Sequence, residues 1–451
     1  ARLGGDEFAL ILEGWASPPE RWAAEVEAFC NRLKEAVSAP LTLPSGEIVS
    51  VSLSAGFTMF PPVDLAADLL VRRADIALYA AKAAKGETGR FWRLHGEPAA
   101  AGAELRGRAL LQSGALVVHF QPVLNLDAGE IIAVEALARL RDGDNLIRPP
   151  DFLPELKAED RCLLFRLVLE ASLNQLTRLD QVGVRLSVSV NLDAQVFLRD
   201  TTLPYLKKKL AAYGIEPRRL MLELLETHEF HDLGRAAAQI SAMRAHGICV
   251  ALDDAGAGYA SILKIRELPL DAVKLNRGFL GRLRQQPDDV LFISIMQTLT
   301  AALGIKLVVE GVEDEDVLDA LSMIGVRDVQ GFLIAKPMDG ATLTEWLRAY
   351  RPRRAWKLPE TLLGAYAMHS NWVRSFEFYR AHASALERLQ AINPFSLDGF
   401  FAGQGSRYTA ARDAYNTLQS LLQHTVADRA SVQDAAGQFR GKLTAALKAE
   451  A

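Results

Sequence analysis

From residue 116 to residue 334 the chain repeats one pattern, a short apolar run followed by a longer stretch of helical spacing. The apolar runs are Leu116 to Leu124, Ile131 to Leu140, Leu186 to Leu192, Leu220 to Leu225, Val250 to Asp254, Val273 to Asn276, Leu307 to Gly311 and Val329 to Ile334. Strands that alternate with helices in this way build a parallel sheet with helices on its outside. Eight of them in a segment of this length predict a closed α/β (β/α)8 TIM-like barrel, whose usual span is ~250 residues. Residues at the carboxyl ends of its strands share one rim, however far apart they lie in the chain.

That rim is polar. Gln121 lies in the first strand, Glu135 and Arg139 in the second, and Asn191 ends the third. Glu223 and Glu226 end the fourth strand, Asp253 and Asp254 the fifth, and Lys274 and Asn276 share a face of the sixth. Glu310 ends the seventh and Gln330 opens the eighth. The fifth strand delivers two adjacent carboxylates into the glycine-broken loop Ala255-Gly256-Ala257-Gly258-Tyr259. Neighbouring strand residues face opposite ways, so Asp253 and Asp254 converge only where the backbone is already turning. Gly256 and Gly258 are expected to supply that freedom.

Six of the rim residues are carboxylates. Two unit charges ~4 Å apart repel by about 4 kcal/mol at an effective dielectric of about 20, so such a cluster needs cations or protons. Oxygen donors with one Asn amide, and no thiol or imidazole, select hard ions such as Mg²⁺ or Mn²⁺ over Zn²⁺. No Ser/His or Cys/His pairing accompanies the acids, so hydrolysis without a covalent intermediate is expected.

Length and composition set the remaining bounds. A chain of 451 residues is too long for one ordinary core. Half of its residues are hydrophobic and 24% are charged, and the net charge of −4 gives no footprint for a nucleic acid polymer or an anionic surface. Cys30, Cys162 and Cys249 lie far apart, which fits buried thiols in a reducing cytoplasm. No apolar run reaches the roughly 18 residues of a spanning helix. The first residues read as the middle of a hairpin, so the expectation is that a segment precedes Ala1 and that any membrane tether lies there.

Residues 1–95 form a first unit. Arg2-Leu3-Gly4-Gly5-Asp6-Glu7-Phe8-Ala9-Leu10-Ile11-Leu12 reads as a tight turn into an apolar strand, followed by helix Glu20 to Val37, strand Ile48 to Thr58 and helix Asp68 to Lys85. This resembles the C-terminal half of a GGDEF domain, the family that makes cyclic di-GMP from GTP, and Lys82 matches a phosphate contact of that family. The resemblance implies that the first strand, with its metal-binding acid, would precede Ala1, so this partial domain should not be a cyclase. Residues 96–110 read as a helix-prone linker.

Over residues 111–350 a second resemblance is specific. Phe120-Gln121-Pro122, Glu135-Ala136-Leu137-Ala138-Arg139, Asn191, Leu222-Glu223-Leu224-Leu225-Glu226, Asp253-Asp254, Lys274, Glu310-Gly311-Val312-Glu313 and Gln330-Gly331-Phe332 match, in order, the EAL-domain cyclic di-GMP phosphodiesterases. The resemblance implies that Glu135, Asn191, Glu223 and Asp253 hold one metal, and that Asp253, Asp254 and Glu310 hold a second. It further implies that Lys274 orients the attacking water, that Glu226 pins the loop after the fifth strand, and that Gln121, Arg139 and Gln330 meet the ligand. Two cations sharing Asp253 would supply hydroxide near neutral pH, and the product would be the linear dinucleotide pGpG. A homodimer through the barrel is implied as well.

The sequence departs from that pattern at Leu225, Ala255, Ala257, Ala260 and Asn276, where the family carries Thr, Phe, Thr, Ser and Asp. The alternative reading is therefore a weak or inactive cyclic di-GMP receptor that signals through its flanking domains. Residues 351–451 turn helical and predict a small all-α bundle. His369-Ser370-Asn371-Trp372 faintly resembles a bacterial zinc-sensing module whose Cys is absent here, leaving His369, His382 and His424. The bundle is read as an interaction or sensory module.

Overall fold

A computed structural model describes residues 103–153, 156–225, 232–255, 260–281, 283–352, 358–379, 396–423 and 429–450. Ahead of these it describes residues 2–4, 7–12, 22–37, 41–42, 48–49, 53–58 and 91–94, with single positions at 70, 74, 77, 78 and 81. The chain divides into two compact units, residues 1–112 with 147–155, and residues 113–146 with 156–451.

In the first unit Arg2–Gly4 pairs antiparallel with Glu7–Phe8, the expected hairpin. The strand stops at Phe8, and Leu10 and Ile11, expected to continue it, are exposed. A helix over Trp22–Val37 buries Val26 and Cys30 against Phe91 and Trp92. Ala55–Phe57 pairs in parallel with Trp92–Leu94, and Phe57 meets both Phe29 and Trp92 edge-on at 6.2 Å. Lys82 lies outside the described residues.

The second unit is built on eight strands, β1 Leu116–Asn125, β2 Glu130–Asp142, β3 Ser187–Asn191, β4 Leu220–Leu225, β5 Cys249–Ala255, β6 Ala272–Leu275, β7 Lys306–Val309 and β8 Asp328–Gln330. Each pairs with the next, and β8 pairs back with β1, so the sheet closes on itself. Six of these pairings are parallel, but β1 runs antiparallel to both β2 and β8. An all-parallel barrel was the expectation, and the connection shows why it fails. A parallel crossover needs a dozen or more residues, whereas only Leu126–Gly129 separates β1 from β2, with Gly129 at φ 68° turning the hairpin.

The helices that follow include α1 Ala158–Gln181, α2 Thr202–Tyr213, α3 Leu233–Ala245, α4 Ala260–Glu267, α5 Asp289–Ala302, α6 Glu315–Met323 and α7 Gly340–Ala349. Beyond them α8 Leu362–Tyr379, α9 Thr409–Gln423 and α10 Arg429–Glu450 confirm the helical C-terminal region. It packs on the barrel within the same unit. The Asp319 carboxylate of α6, 1% exposed, accepts from the Glu360 and Thr361 amides at 3.0 and 2.8 Å and from the Thr361 hydroxyl at 2.7 Å. It thereby caps the start of α8 from another element. A Cβ on Gly364 would lie 2.0 Å from Asp319 Oδ2, so only glycine permits the approach. A second tie joins Asp288 to Tyr366 and Arg440.

Candidate active site

Strand register decides which side chains point into the barrel. Residues paired across a ladder face the same side, and alternate residues along a strand do too. Gln121 pairs with Glu135, and Glu135 with Ser189. Asn191 pairs with Glu223, Glu223 with Ala251, and Leu225 with Asp253. Ala251 pairs with Ala272, Lys274 with Val308, Val308 with Asp328, and Gln330 with Val123. Followed round the closed sheet, one parity contains Gln121, Glu135, Arg139, Asn191, Glu223, Asp253, Lys274 and Gln330. Their shared direction comes from register alone.

At the centre stands Lys274, 2% exposed. Its Nζ lies 2.5 Å from Glu310 Oε1, 2.9 Å from Glu223 Oε1, 3.2 Å from Glu135 Oε2 and 3.7 Å from Asp253 Oδ1. Around it runs an amide chain. Asn191 Nδ2 donates to Glu135 Oε1 at 3.1 Å, and Gln330 Nε2 donates to Glu135 Oε2 at 2.8 Å and to Gln121 Oε1 at 3.2 Å. Gln121 Nε2 donates in turn to the Ala335 carbonyl at 3.1 Å.

Asp253 and Asp254 do converge, yet the bend sits on Asp254 itself, at φ 57°. It is the one non-glycine residue in the left-handed region among those described, and the β5–β6 register shifts there. Strain of this kind, about 1–3 kcal/mol, is held only where its surroundings over-determine it. Here the Asp254 amide donates to Asp253 Oδ1 at 2.9 Å, and Asn276 Nδ2 donates to Asp254 Oδ1 at 2.5 Å. Gly256 and Gly258, expected to provide the turn, lie outside the described residues. Asn276, read from the sequence as a rim residue beside Lys274 and as a departure from the family pattern, thus holds the turn at Asp254. Gly311 after Glu310 is another, with φ 77° and no room for a Cβ, which would fall 2.1 Å from Arg277 Cβ.

The site's charges do not balance. Glu135, Glu223, Asp253 and Glu310 face one ammonium, and Asp254 lies beside Asp253 and Glu310. Burial pushes the Glu223 carboxyl well above the usual range, and Glu135 and Asp253 add to this against Lys274. Burial likewise raises Asp253 to about 6 and Glu310 to about 8, with Lys274 opposing in part. Glu135 goes the other way. Burial raises it, but Lys274, Gln330 and Asn191 outweigh that and leave it below the ordinary value. Burial acts to discharge Lys274, and the four surrounding carboxylates overcome it and hold the group ionised.

A divalent cation fits this donor set. One oxygen each from Asp253, Asp254 and Glu310 lie within 4.8 Å of one another, and Glu223 Oε2 is buried without a hydrogen-bond partner among the described residues. Oxygen-only donors with excess negative charge are what hard cations take. Of the other expected site residues, Arg139 donates to the Ala138 carbonyl at 2.7 Å, and Glu226 lies outside the described residues. Of the three histidines considered for zinc, His369 is fully buried in the bundle, with Nε2 donating to the Ala436 carbonyl at 3.1 Å and its ring edge-on to Phe439. His382 and His424 lie outside the described residues.

The EAL domain family model matches residues 104–337, which is 234 of 451, and the diguanylate cyclase GGDEF domain model matches residues 1–88. The bifunctional diguanylate cyclase/cyclic di-GMP phosphodiesterase MucR of Pseudomonas aeruginosa is 32% identical over 352 residues, covering 76% of this chain and 50% of MucR. The cyclic di-GMP phosphodiesterase PdeR of Escherichia coli is 29% identical over 362 residues, covering 78% of this chain and 53% of PdeR. The chain thus spans about half the length of these curated relatives. A solved EAL enzyme with cAMP and cyclic di-GMP bound shares the fold at a TM-score of 0.52 and 20% identity, covering 63% of this chain and 77% of that one. With an EAL match over more than half its residues and a GGDEF match ahead of it, the chain belongs to the EAL domain family.

Proposed function

We propose that this chain is a metal-dependent phosphodiesterase that hydrolyses cyclic di-GMP to linear pGpG. The observation that carries the reading is the convergence of four carboxylates on one buried lysine, with Asp254 grouped beside two of them, at the mouth of a closed barrel. Names of relatives support the substrate, since MucR and PdeR are cyclic di-GMP phosphodiesterases by name. Glu135, Asn191, Glu223 and Asp253 would hold one ion, and Asp253, Asp254 and Glu310 a second. Such ions, Mg²⁺ or Mn²⁺ by donor chemistry, supply acidity to water and neutralise phosphodiester oxygens.

The chain's own groups do the rest. Lys274, fixed by its carboxylates, presents N–H donors to the attacking water and to charge growing on the phosphoryl oxygens. Lys274, Gln330 and Asn191 hold Glu135 ionised, and the two amides aim it. Arg139, Gln121 and Gln330 sit on the inward parity, where a dinucleotide entering the mouth would meet them. In the step itself a water oxygen bonds to phosphorus, the P–O3′ bond breaks and the 3′ oxygen gains a proton, leaving a 5′ phosphate on a linear dinucleotide.

A second reading, a receptor that binds without cleaving, is favoured by one contact. The Asn276 amide donates to Asp254 Oδ1, one of the two oxygens this residue could offer a second ion. Chromatography of cyclic di-GMP incubated with purified protein separates the two readings. Linear product with Mg²⁺ or Mn²⁺, absent with chelator and absent in Glu135→Ala, is expected; binding without turnover would establish the receptor instead.

A further inference from the structure

Between barrel helix α5 and the C-terminal helices α8 and α10 lies a cavity of about 430 Å³, lined by none of the acidic-mouth residues. That volume is within the range of small-molecule sites, which are mostly apolar with a few placed polar groups. Leu291 and Ile295 form one wall, Trp372, Val373 and Val432 the others, and Ala436 and Gly437 keep the space open.

The polar groups facing this cavity are unequal. Arg440 is committed to Asp288 and to the Tyr366 hydroxyl. Arg374 donates to neutral Asn371 Oδ1 at 3.0 Å, and among the described residues no carboxylate lies within ion-pair distance of it. Beside it Ser370, 5% exposed, has a hydroxyl with no hydrogen-bond partner among the described residues. A buried hydroxyl without a partner costs free energy until something supplies one, and a guanidinium with no carboxylate beside it among the described residues favours a planar anion.

We propose that this cavity is a binding site for a small organic carboxylate with an aromatic or branched apolar body. The carboxylate meets Arg374 and the Ser370 hydroxyl, and the body packs on Trp372, Leu291 and Ile295. One guanidinium with no carboxylate beside it among the described residues, and largely apolar walls, suit a monoanion better than a phosphate dianion. A ligand held there touches the barrel and the C-terminal helices at once.

The test is calorimetric titration of the full chain with 3-phenylpropionate and 4-methylvalerate, using 3-phenylpropanamide as the uncharged counterpart. Saturable one-site binding of at least one acid below millimolar Kd is expected, with the amide at least tenfold weaker. Arg374→Met should weaken the acid at least tenfold and leave the amide unchanged, and Ser370→Ala should weaken the acid about threefold. Gly437→Leu should abolish binding of the acid with its melting curve retained, since a Cβ there meets nothing within 4 Å. The proposal is overturned if neither acid saturates, if the amide binds as tightly as the acid, or if Arg374→Met leaves the acid's affinity unchanged.

Discussion

Replacing Lys274 by Met keeps the length of the side chain and removes the ammonium that four carboxylates share. Removing one partner of a buried ion pair typically costs about 3–5 kcal/mol, because the other charge is left in low dielectric. Glu223, 1% exposed, lies 2.9 Å from the ammonium and suffers this most directly. The cost must grow with pH. Asp253 and Glu310 have folded pKa values raised to about 6 and about 8, so their contribution to stability is present below the ordinary carboxylate range and is lost as pH rises through those values. Without the lysine both rise further. Urea unfolding in chelator should therefore show Lys274→Met less stable than the parent by about 3–5 kcal/mol at pH 8 and by clearly less at pH 5.5. A loss below about 1 kcal/mol at pH 8, or a loss independent of pH, would refute the claim that this lysine compensates the cluster.

Three further outcomes are expected. Asn276→Asp removes the donor to Asp254 and sets two carboxylates together, so metal-free stability should fall by about 1–3 kcal/mol and Mg²⁺ should restore it, as thermal melts with and without the ion would show. His369 is held neutral, its pKa lowered to about 4 by burial, so the unfolded chain binds its proton first. The stability it contributes is present above about 6.5 and is lost as pH falls towards 4, by up to about 3 kcal/mol; urea midpoints at pH 7 and pH 4.5 should converge in His369→Gln. Asp319→Ala removes the cap on α8 and should cost about 2 kcal/mol, read as a lower unfolding midpoint, whereas Asp319→Asn should retain part of it.

What the sequence disclosed, and what it withheld, follows from locality. Strand periodicity is a local property, and once the barrel is inferred, parity carries Gln121, Glu135, Glu223, Asp253 and Lys274 to one mouth. The direction of β1 was legible too, since the six residues between the apolar runs that end at Leu124 and begin at Ile131 cannot hold a crossover helix, though the apolar run alone says nothing of direction. That the turn sits on Asp254 itself, and not on the glycines after it, was not legible. Asp tolerates the left-handed region only at a cost, glycines followed close by, and the contact that holds the turn comes from Asn276 on the next strand's exit. The same is true of Asp319, which spaces as an ordinary helix residue and caps a helix whose start lies about forty residues downstream. Such contacts exist only in three dimensions.

The most direct measurement is calorimetric titration of Mn²⁺ into chelator-stripped protein, wild type beside Asp253→Asn and Glu310→Gln. Tight binding by the wild type that is lost or at least tenfold weaker in Asp253→Asn, with a smaller stoichiometry in Glu310→Gln, is the predicted result. Wild type that takes up no Mn²⁺, or variants that take it up as the wild type does, would contradict the assignment of the barrel mouth as a divalent-cation site.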